Sequence, residues 1–246
     1  MMRKFVIIMF LLLTASGLRC YSQKNNGLIR HSYVGSLIVT GIGPAYCFGD
    51  IGGSVSDQFL LGANDWDVQF TRYFFSVGFR QEFKGRFGYR LTYYTGHFEG
   101  SDKNSRLAYR DFAFKNNINV ITLQGEYTFF GGSFSDIPHS LYFFTGLGII
   151  NSTANFQGDK SSRPDDRFKD KVTAPVMPVG IGYQYRISER ATVGLEFGWH
   201  NAFSDFIDGY SSSTSKRDDT ISALTLTFSY KLFEKNAEKC NCDYPH

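Results

Sequence analysis

The sequence predicts an all-β fold, an eight-stranded antiparallel up-and-down transmembrane β-barrel, on three observations. Seven segments alternate large apolar residues with small or polar ones at a period of two, the mark of strands with one oily and one wet face, and an eighth extended segment precedes them. The connections between them alternate strictly between long and short, a rule that membrane barrels follow and soluble sandwiches do not. Past the N-terminal segment no apolar run reaches the roughly 20 residues of a spanning helix, while Phe (25), Tyr (15) and Gly (25) are abundant and Pro (6) is scarce.

The chain opens with Arg3-Lys4, an apolar run from Phe5 to Leu13 and small residues from Thr14 to Gly17, which is a secretory signal, too short to span a membrane. Arg19 before Cys20 is a poor fit to a lipoprotein site, so cleavage after Ser22 is expected. That leaves residues 1–22 as signal, 23–32 as a short segment, 33–233 as the barrel and 234–246 as a tail. Cleavage removes Arg3, Lys4 and Arg19 but no acid, so the 26 basic residues fall to 23, equal to the 23 acidic ones. No basic cluster is dense enough for nucleic acid.

The first strand, Tyr33–Tyr46, has no sharp inside and outside, and a Gly-, Ser- and Asp-bearing loop follows over 47–64. In the second, Tyr73, Phe75, Val77 and Phe79 face Arg72, Ser76, Gly78, Arg80 and Glu82, with Phe74 as the exception. The turn Lys84-Gly85-Arg86, where Gly85 can supply a positive φ, leads to Phe87, Tyr89, Leu91 and Tyr93 opposite Arg90, Thr92, Tyr94 and Gly96. A polar loop, Gly100–Asn116, precedes Ile121, Leu123, Tyr127 and Phe129, opposite Thr122, Gln124, Glu126 and Thr128. The turn Gly131–His139 then joins Leu141, Phe143, Leu147 and Ile149, opposite Tyr142, Phe144, Gly146 and Gly148.

A polar excursion over Asn155–Lys171 returns through Val179, Ile181, Tyr183, Tyr185 and Ile187, opposite Gly180, Gly182, Gln184 and Arg186. The turn Ser188-Glu189-Arg190 leads to Val193, Leu195, Phe197 and Trp199, opposite Gly194, Glu196, Gly198 and His200. After the loop Asp205–Thr220, the strand Ile221–Phe233 sets Leu224, Leu226, Phe228, Tyr230 and Leu232 on the oily face and is expected to close against the first strand. Strands of this length exceed the roughly 9–11 tilted residues needed to cross a membrane. Short turns on the periplasmic side and long loops outside would place the chain in the bacterial outer membrane with both termini periplasmic.

The wet faces carry Arg72, Arg80, Glu82, Arg90, Glu126, Arg186, Glu196 and Lys231. In a small barrel these point inward, pair and fill the lumen, so no wide channel is expected. Catalysis has four candidates, His97, His200, Glu196 and Ser204. Glu196 and His200 lie about 13 Å apart along one strand, and no G-x-S-x-G signature occurs; no enzyme is expected. The loop acids Asp50, Asp102, Asp205 and Asp208 fit no twelve-residue calcium loop and are read as turn caps. Trp66, Trp199, Tyr93 and Tyr230 are read as interfacial girdle. No cofactor or metal is expected.

Several motifs occur in order along the chain: Gly49-Asp50-Ile51, Gly100-Ser101-Asp102-Lys103-Asn104-Ser105, Arg110 with Phe114, and Ser204-Asp205-Phe206-Ile207-Asp208-Gly209. In these the chain resembles the OmpA-like outer-membrane barrels of Bacteroidota, and among them the PorG-like barrels of the type IX secretion machinery. It departs from that pattern at Asp111, Phe112 and Ala113 and in the tail Glu234–His246. The resemblance implies association with a periplasmic ring of PorK-like lipoprotein and PorN-like protein, besides outer-membrane lipid, with Lys235, Lys239, Cys240 and Cys242 of the tail as candidate partner contacts. The other reading from the sequence is a free-standing surface barrel for envelope integrity or ligand binding through its long loops.

Three cysteines survive cleavage, Cys47, Cys240 and Cys242. Cys47 at the loop end and the tail at the turn end stand on opposite sides of a hydrocarbon layer of roughly 25 Å, against a limit of about 7 Å between the Cα atoms of a disulfide. Mass spectrometry of the unreduced protein is therefore expected to find no bridge from Cys47 to the tail; finding one overturns the topology.

Overall fold

The computed structural model describes residues 33–48, 72–83, 86–102, 112–133, 135–158, 165–212 and 218–234. The chain divides into an N-terminal unit, Met1–His31, outside the described residues, and a barrel unit, Ser32–His246. The signal, Gly85 of the first hairpin turn, Trp66, and the tail positions Lys235, Lys239, Cys240 and Cys242 also lie outside the described residues.

Eight long strands close into one barrel: β1 (Tyr33–Phe48), β2 (Arg72–Phe83), β3 (Phe87–Ser101), β4 (Ala113–Phe130), β5 (His139–Gln157), β7 (Lys171–Arg186), β8 (Ala191–Ala202) and β10 (Thr220–Glu234). Their order round the wall is β1-β10-β8-β7-β5-β4-β3-β2, and two-residue strands β6 (Arg167–Phe168) and β9 (Tyr210–Ser211) pair with each other in the loops. All neighbours are antiparallel, and β10 closes on β1 from Gly35↔Glu234 to Phe48↔Thr220. Closure leaves no strand edge, which is what a sheet must achieve to stand in hydrocarbon, where an unpaired backbone group finds no water. The start of β1 and the end of β10 share one rim with the three short connections.

The two faces follow residue parity. Outward positions such as Tyr73, Leu91, Ile121, Leu147, Ile181, Leu195 and Leu226 are large, apolar and exposed on strands all round the barrel. On β4 this oily surface runs from Ile121 to Phe129. Eight steps of about 3.4 Å, tilted by about 40°, give a height of roughly 20 Å, close to the apolar band of about 25 Å on membrane barrels.

Five strands run further than their alternation predicts, and three loops are correspondingly shorter. Gly100 and Ser101 belong to β3 and Ala113–Asn116 to β4, not to a loop over Gly100–Asn116. Likewise β5 continues through Gln157, β7 begins at Lys171, Thr220 opens β10, and the two polar excursions contain β6 and β9. The physical reason is an inversion of phase. Beyond Tyr93, Ile121 and Ile149 the outward residues turn polar (Thr95, His97, Asn117, Asn119, Asn151, Thr153), while the inward ones turn apolar (Phe98, Phe114, Ile118, Val120, Ile150, Ala154). The period of two persists, but the oil moves from outside the wall to inside it.

In the first hairpin Arg86 carries φ +80°, and its carbonyl accepts from Thr128 N at 2.8 Å. A left-handed backbone costs an ordinary L-residue about 1 kcal/mol. Arg86→Gly is therefore expected to raise stability by about 0.5–1 kcal/mol, read as a higher urea midpoint for the folded protein in vesicles; an unchanged or lower midpoint refutes the strain.

Candidate functional site

The half of the lumen nearer the short turns is filled by a neutral cluster of two arginines and two glutamates. Arg80 on β2 and Arg90 on β3 are register partners, and their like charges are compensated from other strands. Glu196 on β8 accepts from Arg90 Nη1 at 2.6 Å and Nη2 at 3.1 Å, a bidentate fork. Glu126 on β4 accepts from Arg80 Nη2 at 3.1 Å and lies 3.0 Å from Arg90 Nε. Arg80 Nε is 2.8 Å from Glu126 Oε2 but off the N–H direction, so that contact is an ion pair without a hydrogen bond. All four side chains are buried.

Neutral groups complete the cluster. Arg80 Nη1 donates to Gln184 Oε1 at 3.0 Å and Arg90 Nε to Gln124 Oε1 at 3.0 Å, while Gln124 Nε2 donates to Tyr94 Oη at 2.8 Å. The Tyr142 hydroxyl donates to Glu196, and the two guanidinium groups lie over the rings of Tyr142 and Phe144 at 4.7 and 5.2 Å. Tyr142 starts on β5 and must cross β7 to reach β8. It can do so because Gly182, its register partner, has no side chain: a Cβ there would stand 2.3 Å from the ring. The same holds for Phe144 over Gly180, at 2.4 Å.

The structure does not bring all eight expected lumen residues together. Arg80, Arg90, Glu126 and Glu196 meet in the cluster, and Lys231 is buried on the inward face of β10. Glu82 instead binds Ser133 of the β4–β5 turn, accepting from its hydroxyl at 2.7 Å and its N–H at 3.1 Å. Arg186 donates to the carbonyls of Ser135 and Asp136 in the same turn, so these two residues pin a turn at the rim. Arg72 sits at the opposite rim, part-exposed, 2.8 Å from Glu99. Gln124, Gln184 and Tyr142 carry no signal of their role in the sequence beyond the alternation that sets them on the wet face.

The other half of the lumen is apolar, contrary to the expectation of polar filling throughout. Phe74, Phe98, Phe114, Ile118, Val120 and Ile150 pack there with Cys47, a buried free thiol. Above them the loops fold over the mouth, where Phe112, Phe156, Phe168 and Tyr210 make a ring cluster with centroids 4.7–6.5 Å apart. The buried carbonyl of Ile207 accepts from Asn116 Nδ2 and Ser152 Oγ, each at 2.6 Å, so the β8–β10 loop dips into the barrel. Asp219 Oδ2 accepts from Ile207 N at 2.6 Å and Asp208 Oδ1 from Tyr210 N at 2.9 Å, as turn-capping acids do. Of the ordered motifs, Ile207 and Asp208 thus help to build this cap, and Phe114 packs beneath it.

The catalytic candidates stand apart. His97 is outside the wall against Asn117, and Glu196 is committed to Arg90 and Tyr142. His200 is buried edge-on to Phe74 and Tyr94; Ile221 approaches its ring, but neither ring nitrogen meets a partner in hydrogen-bond geometry. Among the described residues no group of three or more His, Cys, Asp or Glu side chains is placed to hold a metal ion.

The central cluster yields a signed expectation. Glu196→Gln leaves buried guanidinium charge uncompensated and is expected to cost about 3–5 kcal/mol. Adding Arg90→Met to it is expected to restore most of that loss. Urea unfolding of Glu196→Gln, Arg90→Met and the double variant in vesicles reads both, and a double-variant loss equal to the sum of the two single losses would show that the pair is not coupled.

Among solved structures, the chain is similar to neisserial surface protein A, at 8% identity and TM-score 0.52 over 80% of this chain and 97% of that one. It also matches the attachment invasion locus protein Ail of Yersinia pestis, at 14% identity and TM-score 0.44 over 82% and 100%. A third match is a major outer membrane protein of Thermus thermophilus, at 12% identity and TM-score 0.45 over 80% and 99%. The first of these likenesses concerns the fold alone: a closed eight-stranded antiparallel barrel of the outer-membrane type. No curated protein matches the chain. The family described as Domain of unknown function (DUF6089) matches residues 61–230, more than two thirds of the sequence, and the chain belongs to that family.

Proposed function

We propose that this chain is an outer-membrane barrel and a structural, non-enzymatic component of the type IX secretion machinery. In this reading it anchors or positions a periplasmic ring of PorK-like lipoprotein and PorN-like protein. The observation that carries it is a wall oily all round about an interior filled by paired charges at one end and packed rings at the other. Such a barrel offers an anchor and no path for solute.

Three further points support the reading. The ordered motifs resemble those of PorG-like barrels. Both ends of the barrel chain lie at the short-turn rim, so in a membrane the segments beyond them leave on one side, which the reading takes as periplasmic. At that rim the β4–β5 turn is held by Glu82 and Arg186, giving a rigid surface against which a partner can dock without ordering a loop.

Gentle detergent extraction through a tag on the tail tests it, together with deletion of the gene. Co-purification of PorK- and PorN-like proteins and a loss of protein secretion are the expected results. Absence of the ring proteins together with normal secretion overturns the proposal and leaves the free-standing surface barrel.

A further inference from the structure

The outer face of the wall over β3, β4, β5 and β7 changes character along three register rows. The last apolar row is Tyr93↔Ile121↔Ile149↔Pro175. The next is Thr95↔Asn119↔Asn151↔Thr173, then His97↔Asn117↔Thr153↔Lys171, then Glu99↔Lys115↔Asn155. Every member of these three rows is polar. On the adjoining strand β2, Tyr73 and Phe75 remain apolar and exposed, so the polar surface is one-sided.

This surface is preorganised. Tyr93 Oη and Thr95 Oγ1 donate to Asn119 Oδ1 at 2.7 and 3.0 Å, Thr173 Oγ1 donates to Asn151 Oδ1 at 2.7 Å, and His97 Nδ1 lies 2.7 Å from Asn117 Oδ1. With their oxygens engaged, Asn119 and Asn151 hold their amide N–H groups in fixed positions. The outward carboxylate, Glu99, is engaged by Arg72 at 2.8 Å and Lys115 at 3.4 Å, and Lys171 adds a second exposed ammonium.

Successive rows are about 7 Å apart along the strand, or about 5 Å in height at a tilt near 40°. The headgroup layer of one leaflet is roughly 5–8 Å deep. If Tyr93, Ile121 and Ile149 end the hydrocarbon, the three polar rows stand about 5, 10 and 15 Å above it, so the first lies within a phospholipid headgroup layer and a lipid that meets all three needs a deeper headgroup.

We infer that the outer face of β3–β7 is a contact surface for a phosphorylated glycolipid, with Lys115 and Lys171 at its phosphates and Asn117, Asn119 and Asn151 at its sugar hydroxyls. The inference rests on the membrane-embedded barrel of the previous subsection and not on the secretion role. Continuity with the oily wall selects a membrane lipid, and the run of amides and hydroxyls selects a sugar-bearing headgroup over a bare glycerophosphate.

The test uses the processed full chain in phosphatidylcholine nanodiscs doped with either diphosphoryl lipid A or phosphatidylglycerol, with retained lipid counted by native mass spectrometry. Lipid A is expected to be retained at least about fivefold over phosphatidylglycerol. Lys115→Gln with Lys171→Gln is expected to reduce its retention about fivefold, the scale of two exposed ion pairs. Asn119→Ala with Asn151→Ala is expected to reduce lipid A retention while leaving phosphatidylglycerol unchanged. Heat-dependent gel migration reports whether each variant is folded; should the lysine variant not fold, a salt titration of the unaltered protein replaces it, and salt-insensitive retention of lipid A overturns the proposal. Equal retention of the two lipids, or full retention by the folded variants, also overturns it, as does a dimer mass that the variants abolish. Ring co-purification and secretion are read separately, so failure here is distinct from failure of the secretion role.

Discussion

Arg80 and Arg90 stand opposite each other on adjacent strands, inside a barrel too narrow to hydrate them, and the rest of the interior is arranged around that constraint. Like charges in direct register destabilise a sheet, and a guanidinium out of water loses several kcal/mol of solvation. Glu126 and Glu196 restore neutrality from two other strands, and Gln124, Gln184 and Tyr142 occupy hydrogen-bonding capacity the ion pairs leave over. Since the participants come from β2, β3, β4, β5, β7 and β8, their contacts are satisfied together only in the closed barrel at the correct register. A slip of one residue would turn the whole set toward the oil. Glycine is part of the same requirement, because Tyr142 reaches Glu196 only across the bare backbone of Gly182.

The opposite half of the barrel solves a different problem with the same backbone. Where the wall is oily outside, the lumen carries the polar groups; where the outer face turns polar, the lumen becomes an ordinary apolar core capped by rings. On β3, β4, β5 and β7 the wall therefore keeps one face for oil and one for polar partners, and only the assignment changes, whereas around Phe74 on β2 both faces are apolar. The hydrophobic gain of packing Phe74, Phe98 and Phe114 inside stabilises strand extensions that lipid alone could not hold. The two longest strands, β4 with 18 residues and β5 with 19, lie across the barrel from the β1–β10 seam, so this raised wall is one-sided.

Much of this was legible in the sequence where the environment on both faces is constant. Seven of the eight strands and the outward positions of Leu224 through Leu232 follow from alternation, and the β10-to-β1 closure follows from the barrel topology that the long and short connections imply. The four charges of the cluster were visible as inward residues, but their pairing was not, since it depends on which strands the closed wall brings across the lumen. The extensions of β3, β4, β5 and β7 were hidden because a polar outward residue between apolar inward ones looks like a loop when oil is expected outside. Lys115 and Asn155 look like loop in this way, while the buried Phe114 and Ala154 beside them hold the signal of a continuing strand. Arg72 escaped because parity fixes a face and not a height: at the rim its side chain reaches Glu99 instead of the lumen.

The ordered motifs have the same kind of physical explanation. Asp102, Phe114, Ile207 and Asp208 are buried, and the last three sit where the loops enter the barrel mouth; they are constrained by packing and by capping of backbone N–H groups. Residues so constrained specify a closed mouth, and a shared closed mouth is a shared architecture. Among the described residues, the surfaces that packing leaves free include the pinned β4–β5 turn at one rim and the polar wall above Tyr93 and Ile121 at the other. These two surfaces share β4 and β5 but lie at opposite ends of them. In a membrane those ends face different compartments, so under the two proposals the lipid and protein contacts fall at opposite ends of the same pair of strands.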